Sequence, residues 1–147
     1  MTHGRWSFAV IAACVVAGAA ADPNLDLQAV EAVCGHCHTT AVFLNKPRSW
    51  DRWNDVFADM TQRGAKGSDE QLEKVTRFFL ENLTLVNVNT SAAEELAGVL
   101  GVSDEVAQAI IERRQRSRFN NMAELRAFPG VNPDKLEERK ARIFFEP

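Results

Sequence analysis

Residues 95–110, ELAGVLGVSDEVAQAI, and residues 124–139, ELRAFPGVNPDKLEER, are two copies of one pattern. Each opens on Glu-Leu, crosses a short spacer, reaches an apolar-x-Gly-Val turn and then begins a new helix. A single helix-turn-helix unit cannot bury its own apolar face, so a tandem copy predicts two units packed on one another. Residues 87–147 hold this repeat and contain no Cys, His or Trp.

Outward from the repeat, periodicity stays helical. Trp53, Val56, Phe57 and Met60 recur at i, i+3, i+4 and i+7, which places them on one face of a helix starting near Ser49 and stopped by Arg63-Gly64. Ser68 and Gln71 form a capping-box pattern for the next helix, whose Leu72, Val75 and Phe79 share a face. Ser91 with Glu94 repeats that pattern at the start of the second half. No segment alternates convincingly with period two between hairpin turns. The expected fold is all-α, in two small domains over 22–86 and 87–147. The short apolar link Leu83–Asn87 is expected to let them pack together.

The composition, with 46% hydrophobic and 25% charged residues over 147 positions, is that of a globular protein. A formal charge of -3 argues against a globally basic nucleic-acid binder and leaves room for a local patch. Residues 1–21 read as a secretory signal peptide: Arg5, an apolar run over Phe8–Val16, and Ala19-Ala20-Ala21 before Asp22. That run is shorter than the ~18 residues of a permanent span, so no transmembrane segment is expected after cleavage. The reading implies a bacterial, periplasmic or otherwise exported chain. Cys14, preceded by Ile11-Ala12-Ala13, gives a lesser reading as a lipoprotein anchor.

Removing the leader leaves Cys34 and Cys37 in the segment CGHCH, 34–38. Disulfide exchange requires such a pair to open a helix after a buried strand. The preceding LDLQAVEAV is helical in period instead, and Val33 stands where such sites carry Trp. Zinc requires four ligands arranged around one ion, and Cys34, His36, Cys37 and His38 are too close in sequence to surround it. The third reading is C-x-x-C-H, the attachment signal of one covalent haem c: two thioether cysteines and His38 as an axial iron ligand. Met60 is then the expected second axial ligand, and ordinary core packing is its competing role. His36 is expected to be exposed and inert.

Residues 25–86 resemble small monohaem c-type cytochrome domains, through CGHCH, RSWDRWNDVFADMTQRGA and SDEQLEKVTRFFLENL. The resemblance implies electron transfer to a redox partner protein, and Phe78 or Phe79 packed on the first helix. Arg48 becomes a candidate partner for a haem propionate, with a solvated Arg as the alternative. Residues 87–145 resemble the tandem helix-hairpin-helix domain of ComEA-type competence proteins, which bind DNA outside the inner membrane. That resemblance rests on NVNT followed by EEL, the Ala-Ile-Ile helix with trailing Arg, Phe119, and the two Gly-Val hairpins.

It implies phosphate contacts at Gly101, Ser103, Gly130, Asn132 and Lys135, with Arg113 and Arg114 in a basic run that continues to Arg116 and Arg118. The second glycine of each hairpin is replaced, by Ser103 and by Asn132, and Asp104, Glu105 and Asp134 add carboxylates there. From residue 87 onward nine Lys or Arg face ten Asp or Glu, a balance of -1. The basic run equally suits a helix C-terminus complementing its macrodipole. Related hairpin domains also dock proteins. The leading expectation is therefore an exported monohaem electron carrier that docks through its hairpin domain, either alone or as a dehydrogenase subunit, and is not itself an enzyme. The alternative is a ComEA-like DNA-binding protein with an accessory haem.

Overall fold

The computed structural model describes residues 23–147, so the expected leader over 1–21 and Cys14 lie outside the described residues. The chain order is α1 (Pro23–Cys34), a 3-10 turn (Thr40–Val42), α2 (Trp50–Gln62), α3 (Asp69–Leu83), β1 (Val86–Asn87), α4 (Ala93–Leu100), α5 (Asp104–Arg116), α6 (Met122–Arg126), α7 (Pro133–Arg139), a second 3-10 turn (Lys140–Arg142) and β2 (Ile143–Phe144). The fold is mostly helical, as the periodicity predicts. The addition is one parallel pair, β1 with β2, in register Val86 to Ile143 and Asn87 to Phe144. Two residues per strand are too few to display an alternating pattern, so sequence periodicity could not reveal them.

The helix ends follow their local chemistry. Ser49 is the extended N-cap of α2, Arg63 closes it, and Gly64 turns the chain at φ +103°. The box at Ser68 forms in both directions: Gln71 N–H donates to Ser68 Oγ at 3.3 Å, and Ser68 N–H donates to Gln71 Oε1 at 2.9 Å. The expected Ser91–Glu94 box is displaced by one residue. Ala92 is the N-cap of α4, Glu95 Oε1 accepts its N–H at 3.1 Å, and an alanine has no oxygen to return the bond. The cause is a turn on Asn87, whose carbonyl accepts the N–H of Thr90 and Ser91 and so winds the chain one residue further.

Two apolar clusters form. In the first, Ala29, Val30 and Val33 of α1 meet Trp53 of α2 and Val75, Phe79 and Leu83 of α3. Trp53 and Phe79 pack edge to face at 4.7 Å, and Phe57 meets Phe79 at 4.9 Å. Phe79 shares this cluster with the apolar residues of α1, and Phe78 packs against its edge. Leu72 departs from expectation, standing 44% exposed in the first turn of α3, before that helix reaches the aromatic cluster. In the second cluster, Leu96 and Ala107 of one repeat pack with their counterparts Leu125 and Leu136, around Ile110 and Phe119.

One bond between α1 and α3 had no sequence signal. Arg77 donates to both carboxylate oxygens of Asp26, at 2.6 and 2.7 Å, and Asp26 is buried. The bond to Asp26 raises the Arg77 pKa. Removing the guanidinium strands a carboxylate inside the protein, so Arg77→Ala is expected to cost about 2 kcal/mol in urea unfolding. Asp26→Asn should cost less, because it leaves no buried charge unpaired.

The two clusters meet at the end of α3. Arg48 pairs with it through the backbone, donating to Leu83 O at 3.0 Å and accepting from Leu85 N–H at 2.8 Å. From the opposite end of the chain, Arg142 donates to Thr84 O at 3.0 Å and Glu81 O at 2.6 Å, supplying donors to carbonyls that a helix terminus leaves open. Burial brings Arg142 down to about 10, which keeps it cationic at neutral pH. Gly98 of α4 lies so close to Leu80 that an added Cβ would stand 2.9 Å from the Leu80 Cβ.

Candidate functional site

The chain presents two regions with chemistry, the thiol loop after α1 and the paired hairpins. In the first, Gly35 ends α1 by close approach: its N–H donates to Glu31 O at 2.9 Å, and a Cβ there would lie 2.4 Å from that oxygen. Cys34 is half-buried and Cys37 exposed, and both are free thiols. Burial pushes the Cys34 thiol above its usual range. Cys34 also occupies the C-terminal end of a helix, where the macrodipole disfavours a thiolate. Both effects oppose the low-pKa nucleophile that disulfide exchange needs. Among the described residues no three His, Cys, Asp or Glu are placed to hold a metal ion.

The same loop has the donor set for a covalent haem. His38 is half-buried, its Nδ1 lies 3.2 Å from Thr39 O, and its ring meets Phe43 edge-on at 6.4 Å. Phe43 in turn packs on Phe79 at 5.2 Å and Trp53 at 6.4 Å, so an aromatic wall stands directly behind the imidazole. The guanidinium of Arg48 lies 5.5 Å from the centre of the Trp53 ring, and its Nε is a buried donor with no partner. An orphaned donor beside an aromatic wall is what an acidic porphyrin substituent would satisfy. Met60 lies half-buried on the Val56–Phe57 side of α2, beyond the residues that form the cluster. His36 is exposed, as expected.

In the hairpins, both glycines adopt the left-handed backbone that the turn requires, Gly101 at φ +65° and Gly130 at φ +86°. Ser103 and Asn132 occupy the positions expected of phosphate-holding residues, and both act as N-caps. Ser103 Oγ accepts from Val106 N–H at 3.4 Å, while Asn132 Oδ1 accepts from Asp134 N–H at 2.9 Å and Lys135 N–H at 3.3 Å. Both have extended backbones, so neither replacement of glycine holds a side chain at positive φ. Lys135 is exposed. Glu105 is held below the usual carboxylate range by the Ser103 hydroxyl and its own amide.

Arg113 and Arg114, expected in a phosphate track, both have partners within the fold. Arg113 donates to the carbonyls of Ser117 and Arg118 and pairs with Glu124 at 2.9 Å, with its guanidinium 4.1 Å from the centre of the Phe119 ring. Arg114 donates to Ser91 O at 2.7 Å and Val88 O at 3.0 Å. Nearby carbonyls engage Arg113 and distant loop carbonyls engage Arg114, leaving Arg116 and Arg118 as the exposed part of the run. Two structural residues escaped the sequence reading. Asn89 bridges to Phe119 in both directions at 2.9 Å, and Arg139 donates to Gly98 O and Val99 O at 2.8 and 3.0 Å. The NVNT segment could have drawn attention to Asn89, whereas nothing local marks Arg139.

Residues 81–144 match the helix-hairpin-helix motif family, so the chain carries a helix-hairpin-helix domain that begins within the last turn of α3. ComE operon protein 1 of Bacillus subtilis (strain 168) is 37% identical over 60 residues, which cover 40% of this chain and 29% of that protein. The chain therefore spans less than a third of this relative's length. No solved structure matches. These matches speak for the hairpin half of the molecule; the thiol half rests on its own residues. No helix among the described residues is long and apolar enough to cross a membrane.

Proposed function

We propose that this chain is an exported DNA-binding protein that contacts the duplex backbone through its helix-hairpin-helix domain. The observation that carries the reading is the match over 81–144, together with the two left-handed glycine turns at its hairpins. The resemblance to ComEA-type proteins supports the same ligand. Electron transfer with the hairpins as a protein dock, the leading expectation from sequence, is the less supported of the two. A binding module and not an enzyme follows from this reading. With few phosphates neutralised, affinity for a labelled duplex in fluorescence anisotropy should be micromolar or weaker and fall with salt by a slope of about 0.9 in log K per phosphate contacted. A chain that leaves the anisotropy unchanged at low salt would remove the reading.

A covalent haem on Cys34 and Cys37 is a second proposal, supported by the free thiols, the aromatic wall behind His38 and the orphaned Nε of Arg48. When bound, the group supplies one-electron chemistry set by its axial ligands. Cys34, Cys37, His38 and Met60 would hold the group, and Arg48 would donate to one of its carboxylates. A redox partner protein would follow. In a denaturing gel stained for haem, protein exported from its own host should carry the colour and a Cys34→Ala, Cys37→Ala variant should lose it. Colourless wild-type protein would overturn the assignment.

A further inference from the structure

The two hairpins are equivalent in sequence and unequal in chemistry. The repeat aligns Ser103 with Asn132, Asp104 with Pro133, Glu105 with Asp134 and Val106 with Lys135. In space the last pair is exchanged, because each side chain packs on the glycine of the other hairpin. A Cβ on Gly130 would stand 2.5 Å from Val106 Cγ2. A Cβ on Gly101 would stand 3.0 Å from Lys135 Cδ and 3.4 Å from its Nζ. The Gly130 turn is thus covered by valine methyls, while the Gly101 turn lies beneath an exposed ammonium. The Arg139 guanidinium, 3.1 Å from the same point, adds a second positive charge while bound to Gly98 O and Val99 O.

The amides differ in the same sense. After Gly130, Pro133 has no N–H, and Asn132 Oδ1 already accepts from Asp134 and Lys135, so the first three backbone positions of α7 have no N–H left for an anion. After Gly101, Asp104 and Glu105 keep their N–H groups, and the Ser103 hydroxyl accepts from Val106 alone of these three. The carboxylate of Glu105 lies against its own amide, but that residue is exposed and its side chain has room to turn away.

We propose that the Gly101 hairpin alone engages the duplex backbone, with Lys135 reaching across from α7 to donate to the phosphate, while the Gly130 hairpin only supports the fold. This rests on the DNA-binding reading above. The test is anisotropy of the full chain against a labelled duplex over a salt series, with matched variants Ser103→Asp and Asn132→Asp. Both introduce the same charge at equivalent positions and keep a good N-cap, so both should melt like the wild type. Ser103→Asp is expected to lower affinity about tenfold or more, and Asn132→Asp less than about threefold. Lys135→Ala, at an exposed position, should reduce the slope of log K against log salt by about 0.9, the value for one phosphate. Equal losses from the two Asp variants, or an unchanged slope in Lys135→Ala, would overturn the inequality while leaving DNA binding intact. Absence of wild-type binding at low salt would instead remove the DNA reading, and this proposal with it.

Discussion

Trp53→Ala is expected to destabilise the protein by about 4 kcal/mol, enough to leave a domain of ordinary stability barely folded. Trp53 is 1% exposed and joins α2 to α3 in two ways. Its ring fills the space against Phe79, Phe43 and Phe57, and its Nε1 donates to Leu83 O at 2.9 Å. Alanine opens a cavity that close-packed neighbours fill only in part, and it removes one of the two donors to Leu83 O, leaving the Arg48 N–H in place. Trp53→Phe separates the two effects. It retains most of the ring and loses one of the two donors to Leu83 O, so about 1 kcal/mol is expected from the lost hydrogen bond. Urea unfolding followed by far-ultraviolet circular dichroism measures both. A Trp53→Ala chain that unfolds at the wild-type midpoint would show that the aromatic cluster does not hold this half together.

The second large effect is expected at Gly130. Alanine there must hold φ near +86°, in a region that L side chains avoid at about 1–2 kcal/mol. Its Cβ would also meet Val106 Cγ2 at 2.5 Å, and forced overpacking adds about 1–3 kcal/mol. Gly130→Ala should therefore cost about 3 kcal/mol. Gly64→Ala is the control. It too has positive φ, +103°, but nothing lies within 4 Å of its added Cβ, so only the backbone term applies. A Gly130→Ala melting curve that matches the Gly64→Ala curve would mean that Val106 yields freely and the contact between hairpins is loose. The pairing of α5 with the second hairpin would then contribute little to stability.

Much of the helical architecture was legible because it is written in short-range chemistry. The Gly-Val turns, the Ser68–Gln71 box and the apolar face of α2 are each decided within a few residues, by backbone sterics, capping and burial. Side-chain roles in the same region were legible only where the partner is local. Arg113, Arg114 and Lys135 look alike in sequence, as cations near a helix end. The first two are engaged by carbonyls at 117–118 and 88–91, whereas Lys135 stays exposed over a glycine of the other repeat. The capping box expected at Ser91 fails for a similar reason, because the turn on Asn87 sets where α4 begins.

At the thiol loop, the CGHCH spacing names the side chains, and the fold sets their surroundings. Cys34 lies at the end of α1 where a thiolate is disfavoured, and His38 lies against a ring from each of two later segments through Phe43. By itself the sequence determined helical character, the tandem hairpins and the identity of the donor atoms, since these depend on local conformation and residue type. Only the tertiary structure decided that Arg142 closes α3 and that Asp26 is buried against Arg77. It alone showed that the two hairpin glycines face a valine in one case and a lysine in the other. Those are pairings between residues far apart in the chain, and a pattern of neighbours carries no record of which distant group will be brought within bonding distance.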